Sequence, residues 1–212
     1  LSVIAEENGR PQTGYSFMES RSISDLDISE ISKEAVYKAI VLLGAKPIST
    51  TEVSVVFDPM VTAQILGVLS PSVSGESARK QRSLFAGKLN QLVAVNGFCL
   101  IDDGTMEDGL ASSPFDDEGN PRQKNVIIEE GKLIKFLHNT YSARKEHLCP
   151  TGKAFRGFYG NTPEIAPTNF YLKPGKFSKE EIISSVDNGF FVMELQGVHS
   201  GTNPITGEIS VG

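Results

Sequence analysis

The sequence predicts an α+β fold, in which helices and strand pairs occupy separate stretches of the chain. Apolar residues recur at three- and four-residue steps between about residues 29 and 43, which is the period of a helix with one buried face. Two other stretches alternate around turns that contain glycine and therefore predict β-hairpins. Glycine and proline are dense from residue 150 to 175, which favours loops and short strands there.

The amino-terminal residues predict a hairpin followed by a helix. Ser2–Ala5 and Gly14–Met18 alternate on either side of Asn8-Gly9, a pair that readily adopts positive φ. The helix is expected from about Ser29 to Leu43, because its apolar residues then share one face. Gly44 follows the last of these residues and is expected to end the helix.

The middle of the chain predicts a strand, a helix, a second strand and a second hairpin. Val53–Phe57 is a short apolar run, which is typical of a buried strand. Asp58-Pro59 then predicts a helix start, since aspartate caps helices and proline suits their first turn. Phe98–Asp102 predicts the next strand. Residues 126–136 predict a hairpin that turns at Glu130-Gly131.

The last third predicts short elements. A helix near residues 178–186 starts with a capping-box pattern, in which serine is followed three residues later by glutamate. Phe190–Leu195 predicts a strand, and Gly197–Gly207 predicts a glycine-rich turn. The chain starts at Leu1 without methionine and stops within a strand-like stretch, so it is interpreted as a fragment of a longer protein.

Composition excludes several functional classes. The 20 lysines and arginines against 26 aspartates and glutamates give a net charge of -6, which disfavours direct binding of nucleic-acid phosphates. The longest apolar stretches fall short of the roughly 20 residues that a membrane span needs. Cys99 and Cys149 are the two cysteines, which excludes a disulfide framework and a four-cysteine zinc site. We therefore expect a cytoplasmic protein without a membrane partner.

Candidate catalytic residues are sparse. His138, His147 and His199 have neither HExxH nor HxH spacing, so they do not predict a zinc centre. His147 and Cys149 are close enough in sequence to form a nucleophilic pair, although Pro150 follows at once and no oxyanion hole is visible. A loop histidine beside a structural cysteine is the simpler interpretation.

Two acidic clusters and one glycine-rich stretch also lack a catalytic pattern. Carboxylates at residues 102–108 and 116–120 could hold calcium or transfer protons, but neither cluster follows the calcium-loop spacing. Aspartate beside glycine favours turns instead. Gly197–Asn203 lacks the lysine of a phosphate loop. Residue chemistry alone thus predicts a soluble α+β protein without a self-evident active site.

Several segments, in order and over nearly all of the chain, resemble the TldD/PmbA family, which is also called the modulators of DNA gyrase. The segments are Val55–Pro59, Ile101–Gly104, Ser113–Gly119, Asn139–Lys145, Pro150–Gly152, and Glu194–Gly197 with Asn203–Ser210. The resemblance implies that residues 1–48 end an α+β amino-terminal domain. It also implies that residues 49–212 form a truncated carboxy-terminal domain, rich in antiparallel sheets with a few helices.

The family contains two kinds of subunit. The TldD kind is a zinc metallopeptidase with an HExxxH helix, and the PmbA/TldE kind lacks this motif and associates with the first. When Gly75-Glu76 is placed on the family's glycine–acid pair, Leu66, Gly67 and Pro71 stand at the first histidine, the glutamate and the second histidine. None of these side chains can bind zinc or accept a water proton. The resemblance therefore implies a zinc-free subunit, with zinc in a TldD-type partner.

The expected function is that of a non-catalytic subunit in a metallopeptidase complex that cleaves peptides or unfolded proteins. The expected partner is a TldD-type subunit or a second copy of the chain. The candidate substrate-cleft residues are Tyr141, Arg144, Arg156 and His199. Two alternatives stay open: a stand-alone hydrolase that uses a dispersed metal site or the His147/Cys149 pair, and direct binding to gyrase.

Overall fold

The computed structural model describes residues 1–210, apart from the side chain of His199. The chain forms two compact units, Leu1–Glu52 and Val53–Gly212. Within the described residues, every helix is too short or too polar to cross a membrane.

The first unit begins with the predicted hairpin. Strands β1 (Ser2–Glu7) and β2 (Arg10–Tyr15) are antiparallel and turn at Asn8 and Gly9, whose φ values are 53° and 73°. The second strand was predicted too late, at Gly14–Met18. A two-residue turn of this kind returns the chain to the ladder at once, so pairing already starts at Arg10.

Helix α1 (Ile28–Val41) packs against this hairpin and confirms the predicted helix. Asp27 caps it by accepting a hydrogen bond from the Glu30 backbone N–H at 3.0 Å. Ala35 and Ala39 are fully buried. A Cβ on Gly14 would overlap the backbone of both alanines, so glycine in β2 allows the helix to lie this close.

The second unit contains ten short strands and five helices within the described residues. In chain order they are β3 (Ser54–Phe57), α2 (Pro59–Leu69), α3 (Gly75–Arg79), β4 (Leu100–Asp103), β5 (Lys124–Glu129), β6 (Lys132–Leu133), α4 (Thr140–Lys145), β7 (Ala154–Phe155), β8 (Glu164–Ile165), β9 (Phe170–Leu172), α5 (Lys179–Ser184), β10 (Gly189–Val192), α6 (Val198–Gly201), β11 (Thr202–Asn203) and β12 (Glu208–Ile209). A 3₁₀ turn, Ser70–Val73, joins α2 to α3.

An antiparallel sheet of four strands, in the order β6–β5–β4–β9, carries the core of this unit. All four residues of β4 are buried. The buried apolar cluster consists of Val73, Leu100, Ile127, Ile128, Leu133 and Leu137. Separate helices and antiparallel strands confirm the predicted α+β class.

Two of the predicted helix starts are confirmed by their caps. Asp58 precedes α2 and accepts a hydrogen bond from the Met60 backbone N–H at 3.0 Å. Ser178 and Glu181 form the predicted capping box at the start of α5. These caps are local, since each involves residues at most three positions apart.

Two other predictions were wrong in part. Val53–Phe57 was expected to be buried, but Val55 and Phe57 in β3 are 46% and 45% exposed. In the described chain, β3 pairs with β10 alone, and the two strands are parallel. An apolar sequence does not indicate how many neighbouring elements cover a strand. Gly197–Gly207 is more than a turn, because it includes α6 and β11.

Candidate functional site

A cleft with a volume of about 490 Å³ opens where α2 ends. Three separate stretches of the chain line it: the 3₁₀ turn with α3, the start of α4, and residues 162–167. Ser74 caps α3 by accepting from Ser77 N–H, and Asn139 caps α4 by accepting from Ser142 N–H. Both helix starts at the cleft are therefore satisfied by their own side chains.

Glu76, on the cleft wall formed by α3, is paired with two basic neighbours. Glu76 lies 2.9 Å from Arg79 and 2.8 Å from Lys80. Burial raises the pKa of Glu76, but hydrogen bonds and charge from Lys80 and Arg79 outweigh it and hold the pKa below its usual value. Glu76 therefore stays ionised near neutral pH and is a poor proton carrier. Serine, asparagine and tyrosine side chains leave the cleft suited to hydrogen bonding.

Leu66, Gly67 and Pro71 lie at and just after the end of α2. Leu66 packs against the apolar core, and Pro71 lines the cleft. Outside the helix's own backbone, no atom lies within 4 Å of a Cβ built on Gly67. These three side chains offer no lone pair to a zinc ion. Across residues 1–210, His199 aside, no three His, Cys, Asp or Glu side chains lie close enough to hold a metal. The side chains at the end of α2 therefore do not form a zinc site.

Of the four predicted cleft residues, the structure places one in the lining of the cleft. Tyr141 lines the cleft, and the Lys145 ammonium lies 5.5 Å from the centre of its ring. Arg144 is exposed and does not line the cleft. Arg156 is exposed on the loop after β7, where its backbone N–H donates to Asp117 at 2.6 Å. The side chain of His199 lies outside the described residues.

The His147/Cys149 pair has no catalytic geometry. Both residues are exposed on the turn after α4, and His147 has a φ of 58°. No hydrogen bond joins these two described side chains, and no helix start supplies donors for an oxyanion there. The acidic cluster at 116–120 forms the predicted turn, in which Asp116 accepts from the backbone N–H groups of Glu118 and Asn120.

A buried ion pair is linked through Thr168 to the segment that lines the cleft, and sequence reasoning missed it. The Lys153 ammonium lies 2.7 Å from Asp102 Oδ2, and both side chains are fully buried. Thr168 donates its N–H and hydroxyl to Asp102 Oδ1, at 2.6 and 2.8 Å, and its hydroxyl accepts from Lys153 at 2.9 Å. Burial lowers the pKa of Lys153, and Asp102 opposes that shift. Thr168 directly follows the cleft residues 162–167.

A second buried group lies next to the cleft. His138 is almost fully buried, and its Nδ1 lies 3.1 Å from the hydroxyl of Ser142. Its ring also fills the space beside Gly75, where a Cβ would overlap it. Burial lowers the pKa of His138, and the weaker influence of Glu146 and Glu76 opposes this shift.

The stability of the protein should therefore depend on His138 as the pH falls. Because the folded-state pKa of His138 is lowered, the unfolded chain binds more protons below about pH 6.5, where free histidine titrates. The free energy of unfolding should drop as the pH falls through about 6.5 toward the folded-state pKa, and urea unfolding at several pH values measures this. His138→Asn should flatten the dependence. Equal slopes in the wild type and His138→Asn would contradict the assignment.

Known proteins are similar to this chain in both sequence and fold. Residues 50–212 match the family model described as the PmbA/TldA metallopeptidase C-terminal domain. The chain is 32% identical over 209 residues to a metalloprotease TldD homologue of Buchnera aphidicola, covering 93% of this chain and 43% of that protein. It thus spans less than half the length of that relative.

Two solved structures have the same fold. A Thermotoga maritima protein named for modulation of a DNA gyrase has a TM-score of 0.90 and 36% identity, over 99% of this chain and 47% of that chain. TldE from Thermococcus kodakarensis has a TM-score of 0.85 and 30% identity, over 92% of this chain and 44% of that chain. The chain therefore belongs to the PmbA/TldA metallopeptidase family, the TldD/PmbA family that its sequence resembles.

Proposed function

We propose that this chain belongs to a non-catalytic subunit of a TldD/PmbA metallopeptidase complex, and that it binds peptide or unfolded-protein segments for a zinc-bearing partner. The observation that carries the proposal is the chemistry at the end of α2. Leu66, Gly67 and Pro71, which stand at the zinc-motif positions when Gly75-Glu76 is matched to the family, offer neither a metal ligand nor a general base.

The cleft supports a binding role for this subunit. Ser70, Ser77 and Tyr141 place hydroxyl groups along it, and Glu76 is neutralised by its two basic neighbours. Main-chain groups of a peptide need hydrogen-bond partners of this kind, without a preference for one side chain. Proton transfer and metal activation are left to the partner.

An extended peptide also has a strand to pair with. Within the described chain, β9 forms one edge of the four-stranded sheet and contacts β4 on its other side. It follows shortly after the cleft residues 162–167. In this proposal, a peptide that leaves the cleft adds main-chain hydrogen bonds at this edge.

The proposal includes the wider organisation of the protein. Residues 1–48 are assigned to the end of an amino-terminal domain and residues 49–212 to the carboxy-terminal domain. The complex is a cytoplasmic dimer. The second subunit is either a TldD-type subunit or a second copy of this protein. The two cysteines, which are unpaired in the structure, are compatible with that compartment.

Co-purification tests the partner. Tagged full-length protein isolated from its own cells should bring down a companion that carries HExxxH, and the complex should cleave an unstructured peptide. Cleavage should be lost when the glutamate of the companion's motif is replaced, and should survive His147→Ala and Cys149→Ser in this chain. A homodimer that cleaves the peptide without any companion would contradict the proposal.

A further inference from the structure

A loop rich in exposed aromatic side chains lies at one end of the cleft. It spans residues 156–163, connects β7 to β8, and is called the aromatic loop below. Phe158 is 71% exposed, Tyr159 is 92% exposed, and Phe155 at the base of the loop is about half exposed. Apolar residues scattered singly are normal on protein surfaces, but neighbouring exposed rings mark interaction sites more often.

Hydrogen bonds hold the backbone of the aromatic loop in place. At its start, the Arg156 N–H donates to Asp117 at 2.6 Å, next to the bond from Ala154 N–H to Asp116 at 3.1 Å. Within the loop, the Arg156 guanidinium donates to the Tyr159 carbonyl at 3.4 Å. The rings are thus presented to water from an ordered backbone, which lowers the entropy cost of binding through them.

The aromatic loop and the cleft form one continuous surface. Thr162 and Pro163, the last residues of the loop, line the cleft. Asn139, which caps α4 and also lines the cleft, donates its side-chain N–H to the Pro163 carbonyl at 3.1 Å. A ligand that lies in the cleft and extends past Pro163 therefore meets the aromatic side chains next.

The size of the exposed surface favours a peptide over a folded partner. An aromatic side chain buries about 150–250 Å² when it is fully covered, so three of them fall short of the roughly 800 Å² that each partner buries in a stable protein–protein interface. The same area suffices for a few side chains of an extended peptide. Aromatic rings also bind with little loss of rotamer freedom, because they have two side-chain torsions.

We infer that the aromatic loop makes the subunit select unfolded polypeptide segments that carry large apolar side chains. The inference rests on the proposed function and adds to it the chemical class of side chain that the site prefers. The cleft then holds the main chain of the peptide, while Phe158 and Tyr159 cover one or two apolar side chains just beyond it. Polar segments bind through the cleft alone.

Peptide binding to the full-length protein tests this inference. Two fluorescent peptides of equal length and charge are compared, one with leucine and phenylalanine at alternate positions and one with serine at those positions. The wild type should bind the apolar peptide more tightly, and Phe158→Ser with Tyr159→Ser should weaken that binding roughly tenfold. Binding of the serine peptide should not change. Phe177→Ser is the matched control, because Phe177 is 74% exposed and does not line the cleft.

The possible outcomes separate the inference from the proposed function. The high exposure of Phe158 and Tyr159 predicts an unchanged unfolding midpoint in the loop variant, so a loss of binding is not a loss of folding. If the loop variant binds both peptides as the wild type does, the inference is wrong and the binding role stands. If the wild type binds neither peptide, the proposed function fails and the inference fails with it. A change in oligomeric state without a change in peptide affinity would make the loop a contact between protein chains, which also overturns the inference.

Discussion

Lys153→Met is expected to destabilise the protein by about 3–5 kcal/mol, since it leaves a buried carboxylate without its countercharge. Lys153 and Asp102 are both fully buried and lie 2.7 Å apart. After the substitution, the two hydrogen bonds from Thr168 remain, but they do not balance the charge. Chemical unfolding followed by circular dichroism measures the loss.

Two further variants test whether burial of the ion pair causes the loss of stability. Lys124→Met removes the partner of Asp103, but the Lys124 side chain is 54% exposed and 3.5 Å away, so the cost should stay below about 1 kcal/mol. Combining Lys153→Met with Asp102→Leu should recover much of the stability, because apolar side chains often replace a buried ion pair without loss. A cost for Lys153→Met no larger than for Lys124→Met would show that the pair is not buried as described.

Gly75→Ala is expected to destabilise the protein by about 1–3 kcal/mol through overpacking. The new methyl group would overlap the ring of His138, which is almost fully buried and has no room to withdraw. The loss should appear in the same unfolding experiment. Because His138 must shift, the pH dependence described above should weaken as well.

Gly67→Ala is the matched control for this substitution. Gly67 lies inside α2, and outside the helix's own backbone no atom is within 4 Å of a Cβ at that position. Alanine is favoured over glycine in a helix by roughly 1 kcal/mol, so the variant should be slightly more stable than the wild type. Equal effects of alanine at Gly67 and Gly75 would contradict the packing of His138 beside Gly75.

Local signals made part of the fold predictable from the sequence. Asn8-Gly9 and Glu130-Gly131 both adopt positive φ and close hairpins, and each signal is contained in two residues. The caps at Asp58 and Ser178 act over at most three residues. Such features depend on conformational preferences that the sequence displays directly.

Features that join distant segments were not predictable in this way. The parallel pairing of β3 with β10 joins residues more than 130 positions apart, and it decides how exposed β3 is. Asp102, Lys153 and Thr168 come from three segments, and no residue spacing indicates that they meet. Asp102 was counted with its acidic neighbours, although its carboxylate faces the interior.

The candidate site was likewise predictable only in part. Tyr141 was chosen because it lies in a segment that resembles the family, and it does line the cleft. Arg144 was chosen on the same ground and lies outside the cleft lining, because the resemblance does not tell which side of a short helix faces the cavity. The exposed rings at Phe158 and Tyr159 had a visible signal, two adjacent aromatic residues between glycines, that was interpreted as an ordinary loop.

The zinc content of the full-length protein, separated from any companion, tests the central claim most directly. The side chains at the end of α2 predict that the separated protein binds no stoichiometric zinc and cleaves no peptide, and that activity returns when an HExxxH-bearing companion is added. Metal analysis and peptide cleavage on the same sample give the result. Stoichiometric zinc in the separated protein, with cleavage that is lost on His199→Ala, would contradict the account.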